Sequence, residues 1–440
     1  MTRVSRVFAA AGAVLALVVA PMVAAQTAPL PTAPAQPRRV QLPVDALMQD
    51  AAVYAVQFGV PLDTAMHRLR AQGESVPATD ALRTRFADRW AGIAIEHVPD
   101  YRIVVLLTGS DPVPDETIVA GGMIVPVVFR TGAVATRAAV LAALTTYQAQ
   151  IRASLPQPPG LGVDQRTGAL VVMMSAAETA EGDAAVRDRI AALTGVPVQI
   201  ERVDRPPLDM ADPIVTSPAG VAEDAVAIEG GARVVGRVDG KRYACTTGFV
   251  VTDGTRSGVA TAAHCPDNLA YIGADRRESP LEFVGQWGWG YQDVQVNTLA
   301  LPPATPPSPL FYADTAKTVA RPVVTWRYRT STRAGDFVCH RGERTGYSCA
   351  LIAMVDFAPA GDLCGGACLP TWVAVEGPTC KGGDSGAPVF EGTTALGIVK
   401  GGTYRRDGTC LLYYYMSTDY LPTGWTLVHD TPALRPIAAP

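Results

Sequence analysis

The chemistry with the narrowest residue requirements centres on one serine. The run "CKGGDSGAPVF", Cys380 to Phe390, sets Ser385 among glycines, between a cysteine and an apolar strand. Alone, Gly383-Asp384-Ser385-Gly386 also reads as an ordinary turn, since Gly and Asp are frequent turn formers. A serine hydroxyl becomes a nucleophile beside a base, and the base needs an acid to orient it. The chain has five histidines, of which His67, His97 and His429 read as surface or satisfied structural residues. His264 differs: it closes the apolar "SGVATAAHC" directly before Cys265. A strand end tied down by a disulfide can hold an imidazole as rigidly as a general base requires. The acid candidate is Asp293, at the head of "DVQVNTLAL" and 29 residues past His264. Asp267 and Asp275 are alternatives, both in polar loops.

The order His, Asp, Ser is one of three in which this triad occurs, and the one found on paired β-barrels. The surrounding sequence agrees with such a setting. From about Ile228 onward, short alternating apolar runs such as "YACTTGFVVTDG", "DVQVNTLAL" and "ALGIVKGG" lie between Gly, Asn, Asp and Pro turns. Roughly 200 residues of this pattern read as an all-β barrel or sandwich. The Pro-rich "LPPATPPSPL" (301–310) is placed to join two halves of it.

Upstream the pattern is mixed. Helices are expected at "PLDTAMHRLRAQ", at 135–155 and at 183–195, and strands at 101–110, 168–174 and 196–203. Interleaved helices and strands read as an α+β domain. "DRPPLDMADPIVTSPAG", Asp204 to Gly220, has the composition of a linker. At the start, Arg3 and Arg6 precede an apolar stretch and a small-residue site at Val23-Ala24-Ala25. That is the layout of an export signal, and Pro21 cuts the apolar run below the ~20 residues needed to span a membrane. The expected divisions are 1–25, 26–222 and 223–440.

All eight cysteines lie between Cys245 and Cys410. In an exported chain this favours disulfides, with 105 connectivities open to eight thiols. Zinc at the isolated Cys364-x3-Cys368 is the competing reading, with too few histidines nearby. A net charge of −4 with 18% charged residues leaves no basic patch of the kind nucleic acid needs.

"TAAHC" (261–265), "DVQV" (293–296) and "GDSGAPVF" (383–390) together resemble the chymotrypsin-like serine endopeptidases. The Cys-x9-Cys loop "VCHRGERTGYSC" (338–349) is similar to that of the secreted bacterial branch, the α-lytic protease and streptogrisin group. So are "YAVQFGVPLDTAMHRLR" and "WAGIAIEHVPDYRIVVLLTG", which look like that group's pro-region. The resemblance implies a double Greek-key barrel protease domain behind an α+β pro-region that aids folding and blocks the cleft. It implies a secreted zymogen, cofactor-free and metal-free. Its partners would be a polypeptide substrate and its own pro-region, with no nucleic acid and no membrane once the signal is cut, and a monomer is expected.

By the same resemblance Ser385 attacks, His264 is the base, Asp293 its acid, and the N–H groups of Gly383 and Ser385 form an oxyanion hole. Asp384 braces the turn, with Arg341 as its expected partner. The implied disulfides are Cys245–Cys265, Cys339–Cys349 and Cys380–Cys410, leaving Cys364 with Cys368. Gly401 and Gly402 lie on the strand expected to pair with substrate. The family usually has serine where this chain has Lys400. That position usually supports the residue that Asp293 matches. With no aspartate just upstream of Cys380 to favour a basic residue, Lys381 and Lys400 are expected beside the substrate, where they would favour an acidic one. Two other readings use the same residues: a catalytically silent binding protein of this fold, and a non-peptidase serine hydrolase.

Overall fold

The computed structural model describes residues 38–175, 181–204, 208–209, 212–213, 227–274, 276–299 and 307–430. The expected signal segment, Asp275 and the expected boundary at 222/223 lie outside them. None of the described helices is long and apolar enough to cross a membrane.

The upstream part carries helices α1 (Pro43–Phe58), α2 (Leu62–Glu74), α3 (Val76–Arg85), α4 (Arg137–Ala153) and α5 (Asp183–Thr194). α2 begins directly after Pro61, and α4 begins where the Thr136 hydroxyl accepts the Ala139 N–H at 3.2 Å. Such a cap satisfies an N–H that the helix leaves over. Strands β1 (Trp90–Glu96), β2 (Arg102–Thr108), β3 (Glu116–Ala120) and β4 (Met123–Ala133) form a sheet in the order β1-β2-β4-β3. β2 reads RIVVLLT and is buried throughout its middle, as a central strand covered on both faces should be. β5 (Gly160–Asp164), β6 (Ala169–Ser175) and β7 (Val198–Val203) follow, then two two-residue strands, β8 (Leu208–Asp209) and β9 (Asp212–Pro213). The last two fall inside the stretch whose composition suggested a plain linker.

Downstream, strands replace α-helices among the described residues. β10 (Arg233–Val238), β11 (Lys241–Thr246), β12 (Val250–Thr252), β13 (Ser257–Thr261), β14 (Leu269–Ile272), β15 (Glu278–Trp287) and β16 (Val294–Leu299) come first. β11 and β12 are consecutive pieces of one run. Antiparallel pairing passes from that run to β13, β16, β15, β14 and β10, and β10 returns to β11. The ring is closed, and the order is that of a six-stranded Greek key.

A second ring repeats that order. It is made of β17 (Phe337–Gly342), β18 (Gly346–Ala358), β19 (Trp372–Glu376), β20 (Pro388–Glu391), β21 (Thr394–Tyr404) and β22 (Cys410–Ser417). β17 pairs β18, then β19, β22, β21 and β20 follow, and β20 returns to β17. Closure removes most of the edge of each ring, leaving short stretches of β11, β18 and β21 on which upstream strands pair. One end of β18 runs past β17 and pairs with β5 at Asp356↔Val163 while Phe357 still pairs with Trp372 of β19, so the upstream strands continue the second barrel's sheet.

Polar contacts reinforce this junction. Asp356 is buried and takes a bidentate pair from Arg137 of α4 at 2.6 and 2.7 Å. Asp50 of α1 meets Arg321 at 2.8 Å, with neither side chain more than 1% exposed. Such buried charges are tolerated because each has an opposite partner within hydrogen-bond reach.

Candidate active site

The first ring pairs β13 with β16 at Thr261↔Gln295. His264 follows β13 by three residues and Asp293 immediately precedes β16, so the pairing brings the two together. Gln295 fixes the turn between them by donating to the carbonyls of Ala262 and Cys265, both at 3.0 Å. The Cys245–Cys265 disulfide ties the same turn to β11. Ser385 comes from the second ring, on the turn before β20. Thr246 at the end of β11 donates its N–H to the Ser385 carbonyl at 2.8 Å and its hydroxyl to that of Gly383 at 2.8 Å. The turn is thus held from the opposite barrel.

These placements align three side chains. Ser385 Oγ lies 2.8 Å from His264 Nε2, and His264 Nδ1 lies 2.7 Å from Asp293 Oδ2. The His264 backbone N–H reaches Asp293 Oδ1 at 3.1 Å. Burial of Asp293 disfavours its charge, but His264 and Lys400 beside it outweigh burial and hold the carboxyl well below the usual range. An ionised carboxylate only accepts, so Nδ1 carries the proton and the Nε2 lone pair faces the serine hydroxyl. This arrangement can take a proton from Ser385 without any side chain moving.

The glycine before Asp384 is required by its backbone. Gly383 has φ +99°, and a Cβ there would sit 2.4 Å from Arg344 Cγ. Only a residue without a side chain holds that turn unstrained. No acceptor among the described residues takes the N–H of Gly383 or of Ser385. Ser385 itself has no exposed surface in this structure.

Asp384 is not paired with Arg341. Its carboxylate accepts the N–H groups of Lys381 (3.0 Å), Arg344 (2.9 Å) and Thr345 (3.1 Å) and the Thr345 hydroxyl (2.8 Å). Arg341 is equally buried, but it bonds Glu343 at 2.8 Å and the carbonyls of Gly231, Asp314 and Thr315. The reason is strand alternation: successive residues of β17 point to opposite faces. His340, its neighbour, takes the side toward Asp384, with Nε2 3.2 Å from Thr345 Oγ1, and burial pushes its pKa down. Gly342 leaves the room Asp384 fills, since a Cβ there would lie 2.1 Å from Oδ1.

Lys400 also departs from expectation. It was expected beside the substrate; its ammonium is buried instead, 3.1 Å from Asp293 Oδ2. Lys381 is exposed and borders an open cavity of about 540 Å³ with Thr379, Arg344 and Asp407. Gly401 and Gly402 pair with Asp209 and Leu208 of β8. Among sites missed from sequence, Thr246 and Thr345 matter most, and nothing in their local sequence marks them.

All eight cysteines are paired: Cys245–Cys265, Cys339–Cys349, Cys364–Cys368 and Cys380–Cys410. The described residues bring Asp50 close to Cys339 and Cys349, but both sulfurs are in a disulfide and offer no thiolate to a metal.

No protein-family model matches the chain. Streptogrisin-C of Streptomyces griseus is similar, at 29% identity over 162 residues, or 36% of this chain. The match spans about a third of that protein, 32% of its length. Among solved structures, protease A of Thermobifida fusca aligns at TM-score 0.37 and 23% identity, covering 47% of this chain and all of that one. An α-lytic protease homologue, N4, aligns at TM-score 0.33 and 21% identity, covering 44% and 94%.

Proposed function

We propose that the chain is a secreted serine endopeptidase made as a pro-enzyme. One observation carries the reading: the unbroken line from Ser385 Oγ through His264 to Asp293, at 2.8 and 2.7 Å. In this reading Ser385 Oγ attacks the scissile carbonyl while His264 Nε2 takes its proton. The N–H groups of Gly383 and Ser385 receive the oxyanion. His264 returns the proton to the leaving amine, giving an acyl-enzyme that water then cleaves by the same steps. Asp293 stabilises the imidazolium in each half. Asp384 acts one step back, by fixing the turn that presents both N–H groups.

The upstream residues serve as a pro-region. β8 lies antiparallel on Gly401–Gly402 of β21, and β9 lies antiparallel on Tyr243–Ala244 of β11. Those two strands flank Ser385: β11 through Thr246, and β21 through Val399, whose carbonyl accepts the Gly386 N–H at 2.7 Å. A chain paired to both walls occupies the path a substrate backbone would take, which fits the lack of exposed surface on Ser385. Export agrees with four disulfides and no free thiol.

The test uses the full chain and its Ser385→Ala variant. After removal of the upstream residues by limited proteolysis, covalent labelling by a fluorophosphonate and cleavage of unfolded casein are expected for the first and not for the second. Casein left intact by a labelled protein after removal of its upstream residues would point to a hydrolase of another class. Absence of labelling together with absence of cleavage would leave a binding protein.

A further inference from the structure

The backbone of β21 has an irregularity at one residue. Its ladder with β22 pairs Val399 with Tyr415 and Gly401 with Tyr414, so the register steps over Lys400. This is a β-bulge, which interrupts alternation and re-aims a side chain. Here it turns a lysine inward. Lys400 is 2% exposed, its Nζ lies 3.1 Å from Asp293 Oδ2, and it stands 5.3 Å over the Trp372 ring. The oxygen it contacts is the one that accepts His264 Nδ1.

We infer that Lys400 is a positioning residue that sets the acid limit of the activity proposed above, on which the inference rests. The following groups face each member among the described residues. His264 faces Asp293 through Nδ1 and Ser385 through Nε2. The charges acting on Asp293 are His264 and Lys400, and its N–H meets the neutral Met416 sulfur at 3.3 Å. Among the described residues Lys400 meets the Asp293 carboxylate and the Trp372 ring. A carboxylate shared between an imidazole and an ammonium stays ionised in acid and stays oriented. It also lends less of its field to the imidazolium, because the ammonium offsets part of that field. The ammonium thus opposes the pull that Asp293 exerts on a proton at His264.

The sign follows directly. Removing the cation leaves the full negative charge of Asp293 on His264 and favours the protonated ring, so activity is lost at a higher pH. Lys400→Met removes charge and hydrogen bond, Lys400→Gln keeps an N–H donor and removes the charge, and Lys400→Arg keeps both. Lys400→Gln leaves the carboxylate a partner and so guards against loss of folding. The readout is the rate of Ser385 labelling by a fluorophosphonate once the full chain has been freed of its upstream residues, followed from neutral pH into acid.

The acid midpoint is expected to rise by about one pH unit in Lys400→Gln and Lys400→Met. That corresponds to roughly tenfold slower labelling at a fixed acid pH. Lys400→Arg should keep the native midpoint. An unmoved midpoint in Lys400→Gln overturns the inference, as does an equal rise in Lys400→Arg. If the native protein freed of its upstream residues fails to label at any pH, the serine-nucleophile reading fails instead, and the two failures are told apart.

Discussion

Asp293 and Asp384 stand on either side of Ser385, and both are buried, at 2% and 0% exposure. Asp293 is held by charge or potential charge: an imidazole and an ammonium share one of its oxygens. Asp384 is held by three backbone N–H groups and one hydroxyl, none of which titrates. Both arrangements meet the cost of burying a carboxylate, but they differ in what they couple it to. The first ties the carboxylate to the protonation of its neighbours. The second ties it to the shape of two loops. A reaction that moves a proton at one place and needs a fixed cradle at another is served by that division.

The largest effect is expected where the charge-held carboxylate is neutralised. Asp293→Asn loses the acceptor that fixes the His264 tautomer and should lower kcat by about 10⁴. It also leaves Lys400 buried without its carboxylate, so the denaturation midpoint should fall as well. A variant with near-native turnover would remove Asp293 from the mechanism.

Asp384→Asn comes next. The amide cannot accept at both oxygens, the turn loosens, and the loss should be about 10²–10³ in kcat, as for an oxyanion donor. The acid limb of the pH profile should stay where it is, because no group bonded to His264 or Asp293 has changed. A moved limb would break the contrast between the two aspartates.

The smallest effect belongs to Thr345→Val, which removes one hydroxyl donor from Asp384 and leaves three N–H groups. About 1 kcal/mol of stability is expected to be lost, seen as a modest fall in the denaturant midpoint, with the acid limb again unmoved. A loss of activity as large as that of Asp384→Asn would mean that the hydroxyl, rather than the backbone, holds the turn.

The sequence was most legible where local pattern decides the outcome. Alternating runs became barrel strands, and His264, Asp293 and Ser385 stood out because a glycine-framed serine, a strand-end histidine and a strand-head aspartate are unusual in combination. It was least legible where geometry overrides residue type. Arg341 was a sensible partner for a buried carboxylate, but alternation on β17 turns it away and backbone N–H groups take its place. Lys400 reads as a pocket residue until the bulge at its own position aims it at Asp293. β8 and β9 have two residues each, too short for any periodicity, and they owe their pairing to the strand edges they meet. α1 went unread because its buried stripe includes Asp50, whose partner Arg321 lies far along the chain.

The continuation of β18 into β5 has a consequence for colloidal behaviour. A strand that runs past β17 would carry unpaired N–H and C=O groups on one side if the upstream residues depart as proposed, and such an edge invites pairing with other molecules. The departing strand would uncover Asp356, Phe357 and Ala358, an apolar pair headed by a carboxylate. Asp356 keeps a partner from its own side, Arg329 at 2.5 Å, after Arg137 has gone. The residue that clasps the upstream segment is thus also a charged guard on the edge left behind, of the kind that discourages strand-to-strand aggregation.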